Sequence, residues 1–339
     1  MSPAGQARPP LGRVVTLGAF ILDVLGRPVE SIPPGQGSAV LQEIRATAAG
    51  TAAGPAVDLA KLGARVSAIG ALGDDVLADI ITAILRRHGI DTTGLVRKPG
   101  IQTAATILPI RPNGERPALH VPGAMTALRP ADIDLAPVRA CDVLLLGAPD
   151  AVGPIGGDGL GAVAEAARAG GATIVIDMLR RGSPADFERL GGLIGAADWF
   201  CPNDDQLRGL TGRADIADAI GDVLALGTGG VAVTLGADGC LVTDGDGGLL
   251  HLPAPPVDVV DTTGCGDGFD AGMIAGLLLG CGPGDAARLA TACGSLVATG
   301  LGSDAGITSL DDAIEFLRRA EPEAAARITG RMATRPVPA

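Results

Sequence analysis

Seven consecutive residues, Asp261-Thr262-Thr263-Gly264-Cys265-Gly266-Asp267, set two glycines and a carboxylate just ahead of an apolar run, Met273 to Leu279. The alternating segment Pro256 to Val260 leads in, so the glycines fall where a strand or loop turns into a helix. Glycines there adopt backbone angles closed to other residues and let a ligand come close. The helix behind them offers unpaired N–H groups and the positive end of its dipole. Such a turn stabilises a phosphate. Asp267, in the first helical turn, is then placed to take the proton of an alcohol as that alcohol attacks phosphorus. Without that chemistry, Asp267 is a helix-capping carboxylate and the glycines are a tight turn in a chain with 52 of them.

The rest of the composition narrows the partners. At 339 residues, 47% hydrophobic and 19% charged, the chain is globular, with a core large enough for one α/β domain and a small appendage. A formal net charge of −12 argues against nucleic acid or an anionic membrane and leaves a small-molecule ligand. The only lysines are Lys61 and Lys98, and neither completes a Walker-type phosphate loop. Six scattered cysteines without a C-x-x-C pair read as reduced thiols in a cytoplasmic protein, and three separated histidines make no zinc pattern. Residues 1–12 read as a tail without a signal-peptide core. The most apolar stretch is too short to span a bilayer, so a soluble protein is expected.

These groups need elements to position them. Arg13 to Gly18 reads as a buried first strand that Phe20 to Asp23 continues, bringing one acidic residue into apolar surroundings. Ala49 to Pro55 opens a helix through Leu62, followed by a strand over 66–71 and an amphipathic helix over 76–88. Segments 103–110 and 118–121 form a hairpin around Arg111-Pro112-Asn113-Gly114. With 31–47, that hairpin (lid segment 103–125) makes a small sheet separate from the rest, a lid. From Val143 onward strands and helices alternate, which predicts a parallel sheet covered on both faces, with ligands beyond the carboxyl ends of its strands. Glu321 to Ala339 reads as a frayed tail. Gly266 to Ala271 also fits the dinucleotide pattern G-x-G-x-x-A, but it comes late and no acidic strand end follows about twenty residues on, so a Rossmann dehydrogenase is set aside.

Five ordered segments resemble the ribokinase-like (PfkB-type) carbohydrate kinases over about residues 13–320. DTTGCGDGFDAG resembles the family's C-terminal signature, with Cys265 where alanine is usual, and AAGTAAGPAVDLAKLGARVSAIGALGDD its N-terminal one. HVPGAMTAL is similar to the end of the lid, CPNDDQLRGLTG to the N-x-x-E region, and VAVTLGADGC to the strand and turn beside the nucleotide. The resemblance implies a three-layer α/β/α fold with a mainly parallel sheet and a β lid. It implies ATP as phosphoryl donor with Mg²⁺, Asp267 as base, and Gly264, Cys265 and Gly266 as an anion hole. Asp23, Gly50 and position 54 would face the sugar, and Asn203, Thr234, Gly236 and Gly239 the nucleotide. Asp261, with carbonyls near Ala298 to Gly302, would hold a monovalent cation such as K⁺.

Two departures stand out. Gly54 replaces the usual sugar-contacting Asn, and Gln206 replaces the glutamate that organises water around Mg²⁺, leaving Asp205 or Asp204 to compensate. Three functions follow: a sugar kinase acting on a hydroxymethyl group, a nucleoside kinase, or a binding protein that kept the fold and lost turnover. No Tyr, one Trp and five Phe leave few flat surfaces for a base, which favours sugars. Arg180 and Arg181 read as solvated arginines or as contacts to substrate or phosphate, His120 as a partly exposed lid residue or one that reaches ligand, and Cys265 as a small buried residue or a thiol open to reagents. A flat, apolar lid face would pair two subunits in a homodimer.

Overall fold

The computed structural model describes residues 10–244 and 247–334; residues 1–9 of the expected N-terminal tail and residues 335–339 lie outside them. β1 (Arg13–Leu17) begins a central sheet, which the chain leaves for β2 (Ile21–Arg27) and β3 (Glu43–Ala49) of a second, small sheet. It returns through α1 (Ala53–Lys61), β4 (Arg65–Gly73), α2 (Val76–Arg87) and β5 (Asp91–Lys98), then enters the small sheet again as β6 (Ala105–Pro109) and β7 (Leu119–Val121). Regular alternation follows: α3 (Leu135–Ala140), β8 (Val143–Gly147), α4 (Gly156–Ala169), β9 (Thr173–Asp177), α5 (Pro184–Gly195), β10 (Trp199–Phe200), α6 (Asp204–Thr211) and α7 (Ile216–Leu224). An antiparallel ribbon of β11 (Ala232–Thr234), β12 (Cys240–Thr243) and β13 (Leu249–Leu252) precedes α8 (Cys265–Leu278), α9 (Pro283–Val297), α10 (Leu310–Ala320) and α11 (Pro322–Thr334).

The central sheet runs β10-β9-β8-β1-β4-β5, all parallel, and bridges from Phe200 to Val231 and Asn203 to Thr234 join the ribbon to its β10 edge. Side chains alternate across a strand, and here both sets are apolar. Val14, Leu145 and Val175 enter a core under α1, α2 and α8 to α11; Val15, Leu144 and Ile174 enter another under α3 to α7. Three layers result.

The small sheet has the order β3-β2-β6-β7. The expected hairpin is present, with Thr106 opposite His120. Phe20 to Asp23, however, does not prolong the first strand. Its residues open β2, the inner lid strand, and most of 31–42 carries no regular structure. The strand Ile21-Leu22-Asp23-Val24-Leu25 is apolar on both faces near its start because it packs on the main domain, so alternation gives no sign of the change of sheet. Of the two lead-ins expected for the glycine turn, strand or loop, the structure has a loop, from Pro253 to Thr263.

The expected C-terminal tail is a helix as far as Thr334. Ala324, Ala325 and Ile328 of α11 are buried, and Arg288–Glu321 and Arg327–Asp285 pairs fix it to the main domain. Ile328→Ala is expected to cost about 2–4 kcal/mol in denaturant unfolding, as for other fully buried aliphatic truncations. An unchanged midpoint would restore the frayed-tail description.

Candidate active site

Gly264 takes the left-handed conformation (φ +81°) at the N-cap of α8, and a Cβ there would lie 2.3 Å from Ser303 Cα. Only glycine meets both conditions without a shift. α8 is fixed in turn by close packing: Gly268, Gly272 and Gly276 let Val297, Ala290 and Ala286 of α9 sit where side chains would otherwise be. Asp261 ties the turn to the loop beyond α9, its Oδ1 accepting from Thr263 N (3.0 Å) and Thr263 Oγ1 (2.8 Å) and its Oδ2 from Gly302 N (3.0 Å).

The turn stands in the wall between two cavities. Gly264 and Asp267 border one of about 810 Å³, together with Asp23 and Gly50. Thr262, Cys265 and Gly266 border another of about 450 Å³, together with Thr234, Gly236 and Gly239. The first helical turn of α8, whose leading N–H groups have no acceptor within the helix, therefore separates two binding spaces. Of the expected residues, Asp23, Gly50, Gly264 and Asp267 converge on the larger cavity, and Thr234, Gly236, Gly239, Cys265 and Gly266 on the smaller.

The others are elsewhere. Asn203 and Gln206 form a reciprocal capping box at α6, with Asn203 Oδ1 accepting from Gln206 N and Gln206 Oε1 from Asn203 N (2.8 Å each). Gln206 Nε2 also donates to Met178 O (2.7 Å), so its side chain is spent on structure. Asp205 is exposed, and none of the three lines either cavity. Gly54 lies behind Asp267: a Cβ there would be 2.3 Å from Asp267 Oδ2.

Burial raises the Asp267 carboxyl to about 7, with Asp23 pushing it further up and Arg116 pulling it down. Asp23 is raised to about 6, again by burial, against the hydrogen bond of Thr106 and the charge of Arg116. Asp58, Asp177 and Asp270 are buried and held well above the usual carboxylate range, chiefly by loss of hydration. Burial pushes the Cys265 thiol up to about 12, which disfavours the thiolate.

Two contributors escaped the sequence reading. Arg116, at the end of the lid turn, lines the larger cavity and donates through Nε to Thr262 Oγ1 (3.1 Å), linking lid and glycine turn. Thr106 lies beside Asp23 across the β2–β6 pair. The hairpin signal marked the neighbourhood of Arg116; its partner lies 146 residues away and left no trace in the sequence. His120 does reach the cavity wall, with Nδ1 3.1 Å from Thr106 Oγ1.

A three-layer α/β/α domain with a β lid over the larger of two adjoining cavities is the architecture of a ribokinase-like phosphotransferase. Residues 12–310 match the pfkB family carbohydrate kinase. The ATP-dependent ribose-1-phosphate kinase of Halopiger xanaduensis is 32% identical over 294 residues, which span 84% of this chain and 92% of the relative. The aminoimidazole riboside kinase of Salmonella typhimurium is 31% identical over 79% of this chain and 87% of its own. Arabidopsis thaliana ribokinase, solved with ribose and ATP, superposes with a TM-score of 0.76 at 24% identity, over 92% of this chain and 99% of the other. The chain belongs to the pfkB family of carbohydrate kinases and is an enzyme of that class. Among the described residues no helix is long and apolar enough to cross a membrane.

Proposed function

We propose that this enzyme transfers the γ-phosphoryl group of ATP to a hydroxymethyl group of a sugar or sugar derivative. The position of the glycine turn between two cavities carries this reading: acceptor on the Asp23 side, nucleotide on the Thr234–Gly239 side, and the transferring group against the first N–H groups of α8. Asp267 takes the hydroxyl proton, the alcohol oxygen bonds to phosphorus, and the bond to the ADP oxygen breaks; the proton then leaves Asp267 for solvent. No Phe or Trp among the described residues lines the larger cavity, which favours a sugar over a nucleoside base. Phosphorus NMR of the product tests the assignment: a phosphomonoester on a primary carbon is expected, and inorganic phosphate as the sole product would refute it.

Mg²⁺ would enter with the nucleotide, held by phosphate oxygens and water, and would neutralise phosphate charge. Among the described residues no group of three or more His, Cys, Asp or Glu is placed to hold a metal ion, and Gln206 is committed to its helix cap. The loop expected to hold K⁺ fits that ion poorly. Asp261 already accepts three hydrogen bonds, Ala298 O accepts from Val260 N, and Leu301 O accepts from Arg45. No step is assigned to it.

The base role sets a pH dependence. Asp267 works as the carboxylate, so kcat/KM should rise with pH through a limb near 7. Arg116→Ala removes a charge that favours the carboxylate and should move the limb up, whereas Asp23→Asn should move it down. A limb near the ordinary carboxylate value in all three proteins would contradict the assignment.

The outer lid face supports a homodimer. Val24, Ile107 and Leu119 stand in register across three strands at 36%, 59% and 60% exposure. Sedimentation should show a dimer that Ile107→Glu with Leu119→Glu converts to monomer; an unchanged mass would remove this interface.

A further inference from the structure

Two arginines in the acceptor cavity have no part in phosphoryl transfer as described. Arg180 follows β9, Arg189 lies on α5, and both line the cavity wall. Each is held from behind by a carboxylate. The Asp150 oxygens accept from Leu179 N (3.1 Å), Arg180 N (2.9 Å) and Arg180 Nε (3.1 Å), and Asp150 O accepts from Arg180 Nη2. Asp186 Oδ1 accepts from Arg189 Nη2 (2.7 Å) while its Oδ2 accepts from Ser183 Oγ (2.7 Å).

The carboxylates are turned into the protein and the guanidinium groups away from it. The Asp150 side chain is 0% exposed against 58% for Arg180, and Asp186 is 21% exposed against 44% for Arg189. Arg180 is fixed along its Nε–Nη2 edge and Arg189 through Nη2 alone, and the remaining N–H donors of a guanidinium held in this way can receive an anion through paired hydrogen bonds. Hydroxyl groups alone do not call for two such forks. At about 810 Å³ the cavity lies toward the upper end of the roughly 300–1,000 Å³ usual for small-molecule pockets, more room than one sugar ring needs.

We propose that the acceptor carries a second anionic group, a phosphate or a carboxylate, bound by Arg180 and Arg189 while its hydroxymethyl group faces Asp267. The inference rests on the kinase reading and narrows its substrate class to sugar phosphates and sugar acids. Asp150 and Asp186 act as positioning residues that aim the two forks.

Matched pairs test it: a pentose and its phosphate, a hexose and its phosphate, an aldose and its aldonic acid, each with MgATP. The charged member of at least one pair is expected to be preferred, and whether phosphates or acids respond identifies the group. Arg180→Ala and Arg189→Ala should each lower the charged-to-neutral ratio of kcat/KM roughly 10- to 100-fold, mainly through KM for the acceptor. Arg180→Lys, which keeps the charge and loses the fork, should recover only part. Turnover of neutral sugars or nucleosides at least as good as that of their charged partners, and dependent on Asp267, overturns this inference and leaves the kinase reading intact. If no acceptor is turned over, the kinase reading fails. Calorimetric titration of the Asp267→Asn protein with the same sugar phosphates and acids then decides the subsite, since binding lost in the added Arg180→Ala variant supports it and no binding refutes it.

Discussion

Asp267→Asn is expected to lower kcat by roughly 10²- to 10⁴-fold, the usual contribution of a positioned base, while leaving nucleotide binding in place. The amide keeps the shape of the side chain and removes its ability to accept the hydroxyl proton. Burial makes this position a strong test. The same loss of hydration that raises the carboxyl to about 7 brings its proton affinity close to the working pH, where a base is most effective. Asp58, Asp177 and Asp270 are buried and line neither cavity, so none is placed to replace it. Turnover by the Asn variant near the wild-type level, measured as ADP formed per added acceptor, would mean that another group takes the proton.

Gly54→Ala should be nearly as damaging although position 54 touches neither cavity. Its Cβ would stand 2.3 Å from Asp267 Oδ2 and 2.5 Å from Cγ, so the carboxylate or α1 must move. A displacement of about 1 Å at a reacting group costs on the order of 10²-fold in rate, and that is the expected fall in kcat. Gly54→Asn, which brings in the side chain usual in related kinases, should be no better. In this protein the carboxylate occupies the space that the asparagine would enter. The absent Asn is thus not a sign of lost turnover: glycine at 54 leaves room for Asp267. Normal kcat in Gly54→Asn would show that the close approach of α1 to Asp267 has no bearing on catalysis.

The glycine turn, the Asn113-Gly114 hairpin and the alternation from Val143 onward were legible because each is a local pattern with one physical meaning. What escaped depends on distance or on weak periodicity. Nothing in Phe20 to Leu25 separates a strand that continues a sheet from one that starts another, since its first residues are buried either way. α11 buries Ala324, Ala325 and Ile328 in the core, a stripe too small to stand out from a polar tail. Asn203 and Gln206, expected at the nucleotide and at the water around Mg²⁺, make a reciprocal capping box at α6 that the family-like motif hid. Arg116 meets Thr262, and Gly54 meets Asp267, only because the lid and α1 converge on α8, a juxtaposition with no counterpart in sequence spacing.

The most direct measurement is ADP release by the purified enzyme with MgATP across pentoses, hexoses, ketoses, sugar phosphates, sugar acids and nucleosides, run beside Asp267→Asn. The account predicts release that depends on a sugar-type acceptor and disappears in the variant. Equal release by both proteins, or release indifferent to every acceptor, would contradict it.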